Sequence, residues 1–151
     1  MIRKIELKNR QEVFFLLDLQ SVSYGVEARL IGFNNIPPLH DTIHTLQLSE
    51  ETFYGYFINR RLVGALSFKR KNDIVEICRL MVHPDHFRRG IASSLIAFLE
   101  EKEEGVRQFT VMTGAKNEPA IQLYKKLGFV ETEQNDVVPG VPMIAFKKIV
   151  V

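Results

Sequence analysis

The chain has 151 residues, of which 46% are hydrophobic and 25% charged, enough for one domain with a full core and a solvated surface. Its net charge of +2 argues against a nucleic-acid stripe or an acidic tail, and its single cysteine, Cys78, excludes an internal disulfide. No apolar run reaches the length of a membrane span, and MIRKIELKNRQEV lacks a signal peptide's apolar core, so a single cytoplasmic domain over residues 1–151 is expected.

Apolar and polar residues alternate over residues 2–7, which predicts a short first strand. Asn9, with Glu12 three residues on, caps the next helix. Val13, Leu16, Leu17 and Leu19 form its apolar face, and Gly25 marks its expected end. Residues 26–48 have no regular pattern because Gly32, Pro37 and Pro38 interrupt it, but a short helix is expected over residues 41–48. Strands over 52–58 and 62–69 join across Asn59-Arg60-Arg61, and Lys71-Asn72-Asp73 turns into a third, Ile74–Val82.

His83-Pro84-Asp85 stops that strand, because proline cannot donate to a sheet ladder. The turn Phe87-Arg88-Arg89-Gly90-Ile91-Ala92-Ser93 then opens a helix with Ile91, Leu95, Phe98 and Leu99 at helical spacing, running to about Glu104. The first N–H groups of a helix have no partner within it and lie at the positive end of its dipole. Small residues at Gly90 and Ala92, and the charges of Arg88 and Arg89, suit that mouth to a phosphate or pyrophosphate.

A strand over 106–113 should run parallel to Ile74–Val82, since a helix intervenes. Asn117 caps NEPAIQLYKKLGF, whose Ala120, Ile121, Tyr124 and Leu127 share a face and whose Gly128 closes the helix. Strands over 129–132 and 142–150, separated by a polar loop over 133–140, complete the chain. The expected fold is α/β: a mixed, mostly antiparallel sheet of six to seven strands flanked by about four helices.

This order resembles the GCN5-related N-acetyltransferase (GNAT) superfamily. Two stretches carry the resemblance, LMVHPDHFRRGIASSL (80–95) and NEPAIQLYKKLGF (117–129). The first is similar to the family's Q/R-x-x-G-x-G/A motif, with Phe87 departing from it at the first position; the second is similar to N-x-x-A-x-x-L-Y-x-K-x-G-F. The resemblance implies that strands four and five splay. Backbone N–H groups from Arg88 to Ser93, including Arg89, Gly90, Ile91 and Ala92, would hold the CoA pyrophosphate. Main-chain groups of Leu80, Met81 and Val82 would pair with the pantetheine arm, and an N–H near Leu80 would polarise the thioester carbonyl.

The reaction so implied is direct attack of an amine on acetyl-CoA, and the amine must lose its proton first. Glu76 is the candidate base, four residues before Leu80 and therefore on its face by the period of two. Tyr124 would be the general acid for the leaving thiolate, and Asn117 would contact the pantetheine arm or cap the helix that carries Tyr124. Each has a plainer reading: Arg88 and Arg89 as a solvated turn, Tyr124 as a core tyrosine, Glu76 as a cross-strand partner of Lys69. His40 and His44 stand four apart, as a metal pair on a helix would, but no third ligand is evident and no metal is expected. Cys78 reads as a small buried hydrophobe.

The acceptor pocket is expected from residues 24–48 and 133–143, with Glu27, Asn34, His40 and Asp41 as polar candidates. The acceptor amine is unspecified, and no nucleic acid or membrane partner is implied. By the resemblance the last strands could pair across a two-fold axis. The rival to an enzyme is a non-catalytic acyl-CoA-binding module.

Overall fold

A computed structural model describes residues 1–32, 40–138 and 140–150. Strand β1 (Ile2–Lys4) is shorter than its alternation predicts, although the Ile5 N–H still bonds Phe53 O at 2.9 Å. Asn9 caps α1 (Arg10–Ile31), its side chain accepting from the N–H groups of Gln11 and Glu12. The helix does not end at Gly25. It runs to Gly32, which takes the left-handed conformation (φ 73°) that closes a helix. An interior glycine costs a helix only about 1 kcal/mol, and Tyr24 and Ala28, on either side of Gly25, are buried in the core.

After α2 (Ile43–Gln47) come β2 (Thr52–Ile58), β3 (Arg61–Lys71) and β4 (Ile74–Val82), an antiparallel run. The β2–β3 turn is the two residues Asn59 and Arg60, both at positive φ (49° and 67°), as the twist of a tight hairpin demands. A one-turn 3₁₀ helix (Pro84–His86) leads to α3 (Ile91–Lys102), then to β5 (Gln108–Gly114) and α4 (Glu118–Lys126). The last hairpin is β6 (Val130–Val138) and β7 (Val141–Ile149). Most of the expected polar loop over 133–140 is therefore strand. Residues 130–136 are all exposed along the sheet edge, where main-chain pairing needs no apolar face, and Glu131, Glu133 and Asp136 keep that edge charged.

The seven strands lie in the order β1-β2-β3-β4-β5-β7-β6, and β4–β5 is the one parallel pair among the described residues. Two clusters of buried side chains fill the interior. Val75, Ile77, Leu95, Leu99, Phe109 and Phe146 pack with α3 and α4 in one; Leu16, Leu19, Leu46, Phe53 and Met81 pack with α1 and α2 in the other.

Two of the sheet's irregularities shape the site. The β4–β5 pairing runs only from Ile74↔Gln108 to Ile77↔Val111, so the strands part beyond it. In the β3–β4 ladder Ser67 faces Arg79 but Phe68 faces Ile77, which leaves Cys78 as an extra residue, a β-bulge.

Candidate active site

The parted ends of β4 and β5 open a cavity of about 760 Å³. At one end stands α3. Its N-cap is Gly90 (φ 74°), no side chain caps it, and Ser94 is the first residue whose N–H bonds back, to Gly90 O at 2.9 Å. Arg88, Gly90, Ile91, Ala92 and Ser93 line this end, with His86 and Phe87. A Cβ on Gly90 would meet nothing within 4 Å, whereas one on Gly64 of β3 would stand 2.7 Å from Ile91 Cγ2. The bare glycine in β3 thus lets the first residue of α3 sit down on the sheet. Arg89 lies outside the cavity lining, its guanidinium 3.5 Å from His86 Nδ1.

Along β4 the main chain alternates. The His83 N–H bonds Val63 O at 2.8 Å, so Met81 and Arg79 likewise turn their polar backbone groups to β3. Leu80 and Val82 turn theirs to the open side. The hydroxyls of α1 meet them there: the Val82 N–H donates to Ser23 Oγ at 3.2 Å, and the Leu80 N–H points at the Tyr24 hydroxyl. Met81 therefore departs from the expected trio, because its backbone belongs to the β3 ladder and its side chain is buried beneath α1.

The bulge at Cys78 also corrects the argument for Glu76. Val75 and Ile77 before it, and Leu80 and Val82 after it, pack on the same core cluster, so the alternation reverses between them. Glu76 and Leu80 lie on opposite faces of the sheet. Glu76 is exposed, pairs in register with Lys69, and does not line the cavity.

At the other end, Asn117 and Tyr124 enter from α4. Asn117 Oδ1 accepts from the Ala120 N–H at 3.3 Å, the expected cap, while its Nδ2 donates to Glu27 Oε1 at 3.0 Å. Glu27 is the sole carboxylate among the described residues that line the cavity. Burial raises its pKa above the ordinary 4.5, opposed by hydrogen bonds from Asn117 and Thr113. Tyr124 is 4% exposed and packs against Phe129 and Phe146. Burial first, and the Glu27 charge second, push its phenol well above the usual range. Tyr24 is raised for the same two reasons and, less, by Tyr124, while the Arg79 charge and the Leu80 N–H oppose the shift. Burial, then Glu51 and Glu76, push the Cys78 thiol up to about 12, which keeps it protonated and a poor nucleophile.

Arg79, for which no local sequence pattern suggests a role, ties the α1–α2 side together. It contacts Gln20, Asp41 and Glu51. Asp41 is thus engaged by Arg79 rather than open to an acceptor. His40 precedes α2 while His44 sits within it, so the two do not share one helix face. Asn34 lies outside the described residues.

A family model described as the acetyltransferase (GNAT) family matches residues 15–129. The chain belongs to this family. As a GNAT member it is 34% identical over 146 residues to the UPF0157 protein YqkA of Bacillus subtilis, covering 97% of this chain and 43% of that one. It is 33% identical over 104 residues to the uncharacterized N-acetyltransferase MJ1207 of Methanocaldococcus jannaschii, covering 63% of this chain and 45% of that one. The chain therefore spans less than half the length of these relatives. The GNAT fold is shared with PaiA N-acetyltransferase from Thermoplasma acidophilum, solved in complex with coenzyme A (TM-score 0.74, 18% identity, covering 99% of this chain and 98% of that one). Among the described residues no helix is long and apolar enough to cross a membrane.

Proposed function

We propose that residues 1–151 act as a single acetyl-CoA-dependent N-acetyltransferase domain that acetylates a primary amine of a small molecule or peptide. One observation carries this reading: the slot between the parted β4 and β5 runs from the uncapped start of α3 to the Asn117–Tyr124 face of α4. An uncapped helix mouth beside Arg88 suits a pyrophosphate, and the open-side backbone groups of Leu80 and Val82 suit an extended amide-bearing arm such as pantetheine. Coenzyme A in the PaiA structure supports the same ligand here.

The amine attacks the thioester carbonyl carbon, a C–N bond forms, and the tetrahedral intermediate expels the thiolate as the C–S bond breaks. The Leu80 N–H would steady the oxyanion once Tyr24 yields it, a contribution of ~3 kcal/mol for one donor elsewhere. Tyr124 would return a proton to the departing sulfur. A cytoplasmic location and pairing of the last strands across a two-fold axis remain part of this reading.

The test is calorimetric titration with CoA and acetyl-CoA, then thiol-detected CoA release over a panel of primary amines. Micromolar binding with turnover of at least one amine is the expected result. Binding without turnover of any amine would favour a non-catalytic acyl-CoA-binding module, and absence of binding at millimolar ligand would refute both.

A further inference from the structure

We propose that Glu27, reaching from α1 across the open end of the β4–β5 slot to Asn117 of α4, takes the proton from the acceptor's ammonium and is a catalytic residue. The inference rests on the acetyltransferase function proposed for this site and names the base which that function needs.

Geometry favours Glu27 over Glu76. The bulge at Cys78 puts Glu76 on the far face from Leu80, exposed and outside the cavity. Glu27 lines the cavity, and its Oε1 is held at 3.0 Å by Asn117, whose backbone starts the helix carrying Tyr124. Thr113, on the parted end of β5, helps to stabilise its charge. A carboxylate held by the cap residue of α4, in a cavity with no second carboxylate among the described residues, is where one ammonium would be drawn. Val26, Leu30 and Met143 add apolar surface to the same cavity, which fits an acceptor presenting one cation on a largely apolar body better than a polycation.

The protons balance. Glu27 takes one from R–NH₃⁺, leaving R–NH₂ to attack the thioester. The adduct nitrogen loses its second proton as the amide forms, and the thiolate gains one from Tyr124. The phenolate recovers the adduct's proton through water, and Glu27 releases its own to solvent, so one net proton leaves per turnover. The coupling also has the right sign. The charge on Glu27 is among the causes holding the Tyr124 phenol up, so neutralising Glu27 makes Tyr124 a better donor when sulfur departs. The charged and titratable groups facing this site are Tyr24 from α1, Tyr124 from α4, and Cys78 and Arg79 from β4, with His86, Arg88 and Lys126 also lining the cavity. A carboxylate poised above its ordinary value is suited to such work, and general-base catalysis is typically worth about 10²–10⁴ in rate.

The test compares wild type, Glu27→Gln and Glu76→Gln. The amines are benzylamine, Nα-acetyl-lysine amide, spermidine and an alanyl tripeptide. Glu27→Gln should lower kcat by at least about 100-fold, keep CoA affinity within about threefold, and abolish the acidic limb of the kcat/KM profile. Glu76→Gln should change kcat by less than about threefold. Independently of turnover, the ¹³C side-chain carboxyl resonance that disappears in Glu27→Gln should titrate above 4.5 in the CoA complex and move on adding benzylamine. Retention of rate and acidic limb in Glu27→Gln, collapse of rate in Glu76→Gln instead, or a Glu27 resonance that titrates at or below 4.5 and ignores every amine would each overturn the assignment. Failure of wild type to bind CoA would instead remove the acetyltransferase function on which it stands.

Discussion

Arg79 Nη1 lies 2.6 Å from Asp41 Oδ2, while the other side of the same guanidinium grips both carboxylate oxygens of Glu51, Nε to Oε1 at 2.9 Å and Nη2 to Oε2 at 3.1 Å. The three side chains are 13%, 15% and 8% exposed, so the cluster is shielded from solvent. Burial alone would depress the Arg79 pKa, but Glu51 and then Asp41 reverse the shift. Replacing Arg79 by Met leaves two buried carboxylates without their cation and should cost ~3–5 kcal/mol, read as a lower urea midpoint. Replacing all three residues by apolar side chains of similar size should recover most of that loss.

Gly90 separates the cost of folding from the cost of binding. At φ 74° an added Cβ is strained, yet it would touch nothing within 4 Å. Gly90→Ala should therefore lose only ~1–2 kcal/mol of stability, while its methyl stands at the helix mouth proposed to hold a phosphate. CoA affinity should fall by about tenfold or more, equivalent to ~1.4 kcal/mol. Calorimetric binding and denaturant unfolding on the same sample check both numbers.

Gly64 should behave differently, because its Cβ would collide with Ile91 Cγ2 at 2.7 Å and come within 3.4 Å of Met81 O. Gly64→Ala forces the start of α3 away from the sheet. It should lose ~1–3 kcal/mol, as overpacked cores do, and weaken CoA binding without altering any residue in the cavity lining.

Tyr124→Phe keeps the ring that packs on Phe129 and Phe146 and removes the hydroxyl. CoA affinity should stay within about threefold while kcat drops by about 10²-fold or more. A rate within a factor of two of wild type would assign Tyr124 to the core alone.

Glu27 also predicts how stability depends on pH. Its carboxyl titrates higher in the folded protein than when unfolded, because burial penalises the charge. Relative to Glu27→Gln, the wild type is thus least penalised below the unfolded value near 4.5, and loses ground as pH rises through the folded value. The melting temperatures of the two proteins should converge at about pH 4 and separate towards pH 8, with the Gln variant higher. Equal separation at all pH values would contradict a buried, charged Glu27.

Much of this molecule is legible one residue after another. The strong alternation of β2 to β4, the helical spacing of α3 and α4, the caps at Asn9 and Asn117 and the basic turn at Arg88-Arg89-Gly90 are local patterns, set by backbone sterics and by which side chains must leave water. They determine the element order, the parallel β4–β5 pair and the helix mouth that fits a phosphate. Tertiary packing decided the rest. A glycine at position 25 reads as a helix end until Tyr24 and Ala28 are seen buried, and only the longer helix carries Glu27 to Asn117, ninety residues away in sequence. The extra residue at Cys78 is visible only in the pairing with β3, yet it reverses which side chains share a face with Leu80. Register and long-range burial arise from the partner strand and the opposing helix, and no window of neighbouring residues contains them.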